Sequence, residues 1–102
     1  MPASKDTATY ADVVRIYERA DAAPDGVKIT FDDRQKALNC RQRLYGCRKA
    51  YREASKKIYP VGDFRHDTCA WLGYKIELKQ EEDKYVIYLT KWEEVEYEVE
   101  DI

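Results

Sequence analysis

RQKALNCRQRLYGCRKAYREASKKI, residues 34 to 58, decides how this 102-residue chain folds. Ala37, Cys40, Leu44, Cys47, Tyr51, Ala54 and Ile58 follow one another at alternating spacings of three and four. At 3.6 residues per turn that rhythm puts all seven on one stripe, the mark of a long helix with one buried side. Asp32 or Asp33 stands where a carboxylate can cap the first free N–H groups and meet the positive end of the helix dipole. Pro60 stops the helix, because the residue before a proline disfavours the helical region. The expected helix covers 33–58 and packs through Ala37, Cys40, Leu44, Cys47, Tyr51 and Ile58. Gly46 is an interior cost of about 1 kcal/mol relative to alanine. It falls almost opposite the stripe, which suggests that something approaches the outer side of the helix there.

Working outward, VKITF at 27–31 alternates Val27, Ile29 and Phe31 with Lys28 and Thr30, the pattern of a short half-buried strand. APDG at 23–26 is a turn signal before it. Further upstream, Tyr10, Val13, Val14, Tyr17 and Ala20 recur at helical spacing, with Thr9 and Asp12 as a weak capping pair. The β-branched Val13-Val14 pair leaves 9–21 open between helix and strand. Downstream, a connector from Val61 to Gly73 holds Phe64, Trp71 and Leu72, expected to pin it to the core. Tyr74, Ile76 and Leu78 then alternate with charged residues, QEEDK makes a polar turn, and YVIYLTKW forms a richer, more central strand. A last alternation, Val95, Tyr97 and Val99 against four glutamates, reads as a third strand of a meander or an acidic edge extension. The expected fold is α+β: a flexible N-terminus at 1–8 and a single small domain at 9–102. In that domain a mostly antiparallel sheet of three to four strands packs against the long central helix and a shorter N-terminal one.

Charge is divided sharply along the chain. Residues 34–57 carry Arg34, Lys36, Arg41, Arg43, Arg48, Lys49, Arg52, Lys56 and Lys57 against Glu53 alone, although the whole chain has a formal net charge of -2. Residues 77–102 carry ten acids against Lys79, Lys84 and Lys91. At 100° per residue Arg34, Arg41, Arg48 and Arg52 fall within about 40° of each other, beside the apolar stripe. Arginine forks at intervals of about 10 Å along a helix can meet successive phosphates or a row of carboxylates. The same side chains can also simply cover the edge of the stripe with their stems, or answer the chain's own acids. The candidate binding residues are Arg34, Arg41, Arg48 and Arg52, flanked by Arg43, Tyr45 and Lys49. Their partner is nucleic acid or an acidic protein surface, and Tyr45 suits either.

The segment FDDRQKALNCRQRLYGCRKAYRE, a strand end running into a helix with an RLY core and Arg48-Lys49 beyond it, resembles stretches in small uncharacterised bacteriophage-encoded accessory proteins. The resemblance covers roughly a quarter of the chain. It implies a small protein acting on host or phage macromolecules, and favours binding over catalysis. It carries no residue role.

Other chemistry finds little support. Cys40 and Cys47 are two helical turns apart, about 10 Å, too far to share a tetrahedral zinc ion or a disulfide. With His66 and Cys69 added, no metal or cofactor is expected. Asp63, Arg65, His66 and Asp67 form a polar cluster with a potential general base, but no pattern places a nucleophile beside it, so no catalytic residue is assigned. No apolar run approaches the 18 or so residues of a membrane span, and MPASKDTATY has no apolar signal segment. The expectation is a soluble, cytoplasmic, non-enzymatic protein that does not act at a membrane. Val95, Tyr97 and Val99 need cover that a homodimer would supply, while the glutamates opposite them resist edge pairing, so both states stay open.

Overall fold

The computed structural model describes residues 7–92 and 98–102. A 3-10 turn at Thr7–Tyr10 leads into helix α1 (Ala11–Ala22), followed by strand β1 (Val27–Phe31), helix α2 (Arg34–Ile58), strand β2 (Tyr74–Glu81) and strand β3 (Lys84–Lys91). The strands form one antiparallel sheet in the order β1-β3-β2. β3, the most apolar strand, takes the centre because it must bury both neighbours' edges. The residues described form a single α+β domain, with the long central helix and the shorter N-terminal helix that the sequence predicts. The open choice over 9–21 falls to helix. The last alternation, EEVEYEVEDI at 93–102, read as a third meander strand or an acidic edge extension, lies outside the described residues over 93–97, and the described residues 98–102 form no strand.

Register places the core. Ile87 pairs with Ile29 and Leu78, and Leu89 with Val27 and Ile76, so one pleat face is apolar across all three strands. Leu44 and Cys47 of α2, and Val13, Tyr17 and Ala20 of α1, are buried in the same cluster as Ile87 and Leu89. On the opposite face Val86 is also buried, between its ladder partners Thr30 and Lys79. A lysine stem is long enough to cover such a side chain while its ammonium stays in water. Gly26 is fixed twice over: its φ is +82°, and a Cβ there would stand 2.3 Å from the Leu89 carbonyl oxygen.

α2 begins as expected, with the Asp33 carboxylate accepting from the Gln35 N–H at 3.0 Å, and ends at Ile58. Its buried face is not the straight stripe. Each heptad turns about 20° back around a straight helix, so three heptads beyond Ala37 the stripe has rotated by about 60°. Ile58 is accordingly 71% exposed. Ser55, five full turns from Ala37, is buried in its place. Ala50 is buried too, because α2 is covered on a second side by α1 and the 3-10 turn.

That second contact explains Gly46. A Cβ there would lie 2.7 Å from the Tyr10 hydroxyl oxygen and 3.2 Å from two ring carbons. The partner approaching this side of α2 is therefore the chain's own core residue Tyr10, and Gly46 does not lie outside the packing as the single-stripe reading implied. Thr9 does not cap α1; the capping position is Tyr10, without a side-chain bond, and the Thr9 carbonyl accepts from Arg43 instead.

The connector between α2 and β2 is held by Trp71, which stacks on Tyr17 at 5.2 Å between ring centroids. Phe64 and Leu72 do not pin it: Phe64 is 87% exposed and Leu72 lies at the surface.

The Gly46 contact has a signed consequence. Gly46→Ala should gain about 1 kcal/mol of helix propensity and lose about 1 to 3 kcal/mol to overpacking against Tyr10, a net destabilisation of up to about 2 kcal/mol. In a Tyr10→Ala background the same change should stabilise by about 1 kcal/mol. Urea denaturation of the four proteins reads this reversal; stabilisation in both backgrounds would contradict the packing described.

Candidate functional site

The solvent face of α2 follows from what covers its other sides. With the sheet on one side and α1 on the next, Arg34, Arg41, Tyr45, Lys49, Arg52, Glu53 and Lys56 are left within about 120° of arc. Glu53 is the one acid among them. The connector folds back against the C-terminal half of this face and closes a cleft of about 400 Å³. Tyr45, Arg48, Lys49, Arg52, Lys56 and Leu72 line it together with Glu53 and Asp67, so four cations meet two carboxylates.

The arginines that the sequence groups together have separate roles. Arg43 lies about 160° around the helix from Arg41. It donates to the Thr9 carbonyl at 2.9 Å and to Asp12 at 2.6 Å, and its guanidinium sits 5.3 Å from the centre of the Tyr10 ring. It fastens α1 to α2 and is not part of the cleft. Its bond holds the Asp12 carboxyl below the usual carboxylate range. Arg52 donates from two nitrogens to both carboxylate oxygens of Asp67, at 3.1 and 3.2 Å. Lys56 stands 3.7 Å from the same carboxylate. Arg34 and Lys49 are exposed and Arg41 half-buried, and none of the three forms an ion pair among the described residues.

Arg48 differs from all of these. Half-buried, it donates to the backbone carbonyl of Tyr74, and its guanidinium lies 5.9 Å from the Tyr17 ring centre and 5.7 Å from that of Tyr45. No carboxylate among the described residues pairs with it, and its Nε is buried without an acceptor. A charge withdrawn from water with only a carbonyl and two ring faces for compensation leaves a positive potential on the cleft wall. Tyr45, 49% exposed, presents its ring at the mouth.

The connector's docking is polar. The Ser55 hydroxyl donates to the Arg52 carbonyl at 2.6 Å and accepts from the Thr68 N–H at 2.9 Å. His66 donates from Nδ1 to the Tyr59 carbonyl at 2.8 Å. Asp63 is gripped by Arg65, whose backbone and side chain both donate to it. The 63–67 cluster thus shapes the loop that carries Asp67. Asp67 has a positive φ of 58°, a left-handed conformation that aspartate and asparagine adopt more readily than other residues with a side chain.

The cysteines pack. Burial pushes the thiols of Cys40 and Cys69 up, and that of Cys47 to about 11, which keeps them protonated at neutral pH. Among the described residues no group of three or more His, Cys, Asp or Glu side chains could hold a metal ion, and no helix is long and apolar enough to cross a membrane. Asp67, Lys56 and Leu72 were missed by the reading of the sequence. Lys56 was within reach of it, one turn beyond Arg52; Asp67 and Leu72 join the cleft only through the tertiary fold of the connector. No protein-family model matches the chain, and no curated protein or solved structure matches it either.

Ser55 is the hinge of this arrangement. Ser55→Ala should cost about 1 to 2 kcal/mol, since it strands the Thr68 N–H. Denaturation measures the loss and amide exchange at Thr68 locates it; an unchanged exchange rate would show that the connector is held elsewhere.

Proposed function

We propose that this chain is a non-enzymatic accessory protein that binds nucleic acid, single strands in preference to duplex, through phosphates ranged along the exposed face of α2. The observation that carries this reading is Arg48: a half-buried cation without a carboxylate partner among the described residues, opening on a cleft lined by three more cations and an exposed tyrosine ring. Arg34 and Arg41 extend the basic track toward the start of α2, about 33 Å from Arg34 to Lys56 by helix rise. A track of phosphate contacts with an aromatic platform beside it is how proteins hold single strands without strong sequence preference. Duplex is disfavoured because the hairpin residues Glu81, Glu82 and Asp83 and the tail residues Glu98, Glu100 and Asp101 add negative charge to other surfaces of a small domain.

A second reading has its own support. Ile58, Val61 and Phe64 are each more than two-thirds exposed, beyond the lysine end of the track. Apolar surface next to a basic one suits an acidic protein partner equally well.

Fluorescence anisotropy with labelled single- and double-stranded oligonucleotides separates the two. The variant to use is Arg41→Glu with Lys49→Glu, since Arg48 also holds β2 and its loss would disturb the fold. Wild type should bind single strands at about 50 mM salt, weakening as salt rises with a log–log slope of about -2 to -3 for three or four phosphate contacts. The double variant should lose at least about tenfold, and Tyr45→Ala should lose about five- to tenfold, at 1 kcal/mol or more per stacked base. No binding of either oligonucleotide by wild type at about 50 mM salt would remove this reading in favour of the protein partner.

A further inference from the structure

Asp67 stands inside a cleft whose other charged walls are four cations and one carboxylate, Glu53, so the balance there still favours an anion. Arg52 grips its carboxylate with two parallel N–H donors, and Lys56 adds a second positive group at 3.7 Å. A phosphate offers that fork the same pair of acceptor oxygens, with more charge as pyrophosphate or a terminal phosphate, and with the same single charge but further contacts alongside as a nucleic-acid phosphodiester. We propose that the Asp67 carboxylate holds the anion position of the cleft in the free protein, and that a phosphate group displaces it from Arg52 and Lys56. The proposal rests on the nucleic-acid reading for the source of the phosphate, but not for the displacement itself.

Three features make the exchange inexpensive. The Arg52–Asp67 pair is well exposed on both sides, 44% and 35%, and an exposed pair contributes little net stability. Nothing in the core has to open: Val61 and Phe64, the apolar residues of the loop ahead of Asp67, already face solvent, while Trp71 anchors the connector's far end independently. Asp67 also sits in a left-handed backbone conformation, which aspartate tolerates better than most residues but still less well than glycine. Release from Arg52 and Lys56 therefore gives up two exposed, exchangeable ion pairs at a residue whose backbone is already in a less populated region. The carboxylate meanwhile shields the cleft from weaker anions, so that only a ligand bringing more charge, or several contacts at once, displaces it.

The test compares wild type with D67N, chosen because asparagine tolerates a positive φ and keeps the side chain's size. Two probes are titrated: inorganic pyrophosphate, and a labelled single-stranded oligonucleotide. Both should bind the variant about two- to fivefold more tightly, the range an exposed ion pair supports. A second measurement needs no variant. Arg52 first, with Lys56 and His66 behind it, holds the Asp67 carboxyl below its ordinary value. Saturating wild type with pyrophosphate should raise the pH at which the Asp67 carboxyl carbon titrates in NMR, because the displaced carboxylate then stands beside an anion. Equal or weaker binding by D67N while wild type binds, or an unmoved Asp67 titration in the complex, overturns the proposal and leaves the nucleic-acid reading standing. Tighter pyrophosphate binding by D67N with no oligonucleotide bound by either protein keeps the displacement and overturns nucleic acid as the phosphate source. No binding of either probe to either protein overturns both.

Discussion

Tyr17 is the residue through which every layer of this domain is joined. It is fully buried, and its hydroxyl donates to the Leu44 carbonyl at 2.8 Å, which ties α1 to the middle of α2. Its ring stacks on Trp71 of the connector and meets the edge of Tyr74 at the start of β2, 5.9 Å between centroids. Arg48 lies over the same ring. A hydroxyl in such a place must stay protonated, and burial pushes its pKa well above the usual tyrosine value. Tyr74 repeats the device one layer out, with its hydroxyl donating to Asp21 at 2.7 Å while its carbonyl receives Arg48. The rings supply apolar area and the polar atoms fix orientation, so a small core is held in one arrangement.

This hub determines which charges remain available at the surface. Arg43 and Arg48, drawn toward Tyr10 and Tyr17, become part of the packing between α1, α2 and β2. The cations left outside are those a sheet on one side and a helix on the other cannot reach. The basic face is thus a residue of the packing geometry as much as of composition. Its cleft exists because Trp71 draws the connector back over α2, leaving Arg48 at the wall with no carboxylate partner among the described residues. A domain can neutralise exposed lysines with water and salt, but a half-buried guanidinium keeps its field.

Periodicity alone located the strands and the long helix, since VKITF, the alternation from Tyr74 to Lys79, the apolar run YVIYLTKW and the three-four rhythm each had one consistent solution. The turn before β3 was read as the five residues QEEDK, whereas the ladder runs on through Gln80↔Tyr85 and Glu81↔Lys84 and leaves only Glu82 and Asp83 between the strands. The single-stripe reading of α2 failed at Ile58 because the stripe rotates along the helix, and at Gly46 because α2 has a second covering surface. The basic track was visible in the sequence through Arg34, Arg41, Tyr45, Lys49 and Arg52. What set Arg43 apart, and brought in Asp67, were contacts between residues 31 and 15 positions apart, which no local pattern encodes.

Phosphate is proposed to engage one face of α2 and the cleft beneath the connector. Titrating isotope-labelled protein with a short single-stranded oligonucleotide at about 50 mM salt, and following its amide and arginine Nε–H signals, tests that claim residue by residue. The predicted result is a contiguous set of shifted signals at Arg41, Tyr45, Arg48, Lys49, Arg52, Lys56 and Asp67, with Arg43, Asp12 and the outer sheet residues Lys28, Glu77 and Lys79 unmoved. Shifts centred on the outer sheet face or on Arg43, with the cleft signals unchanged, would contradict it.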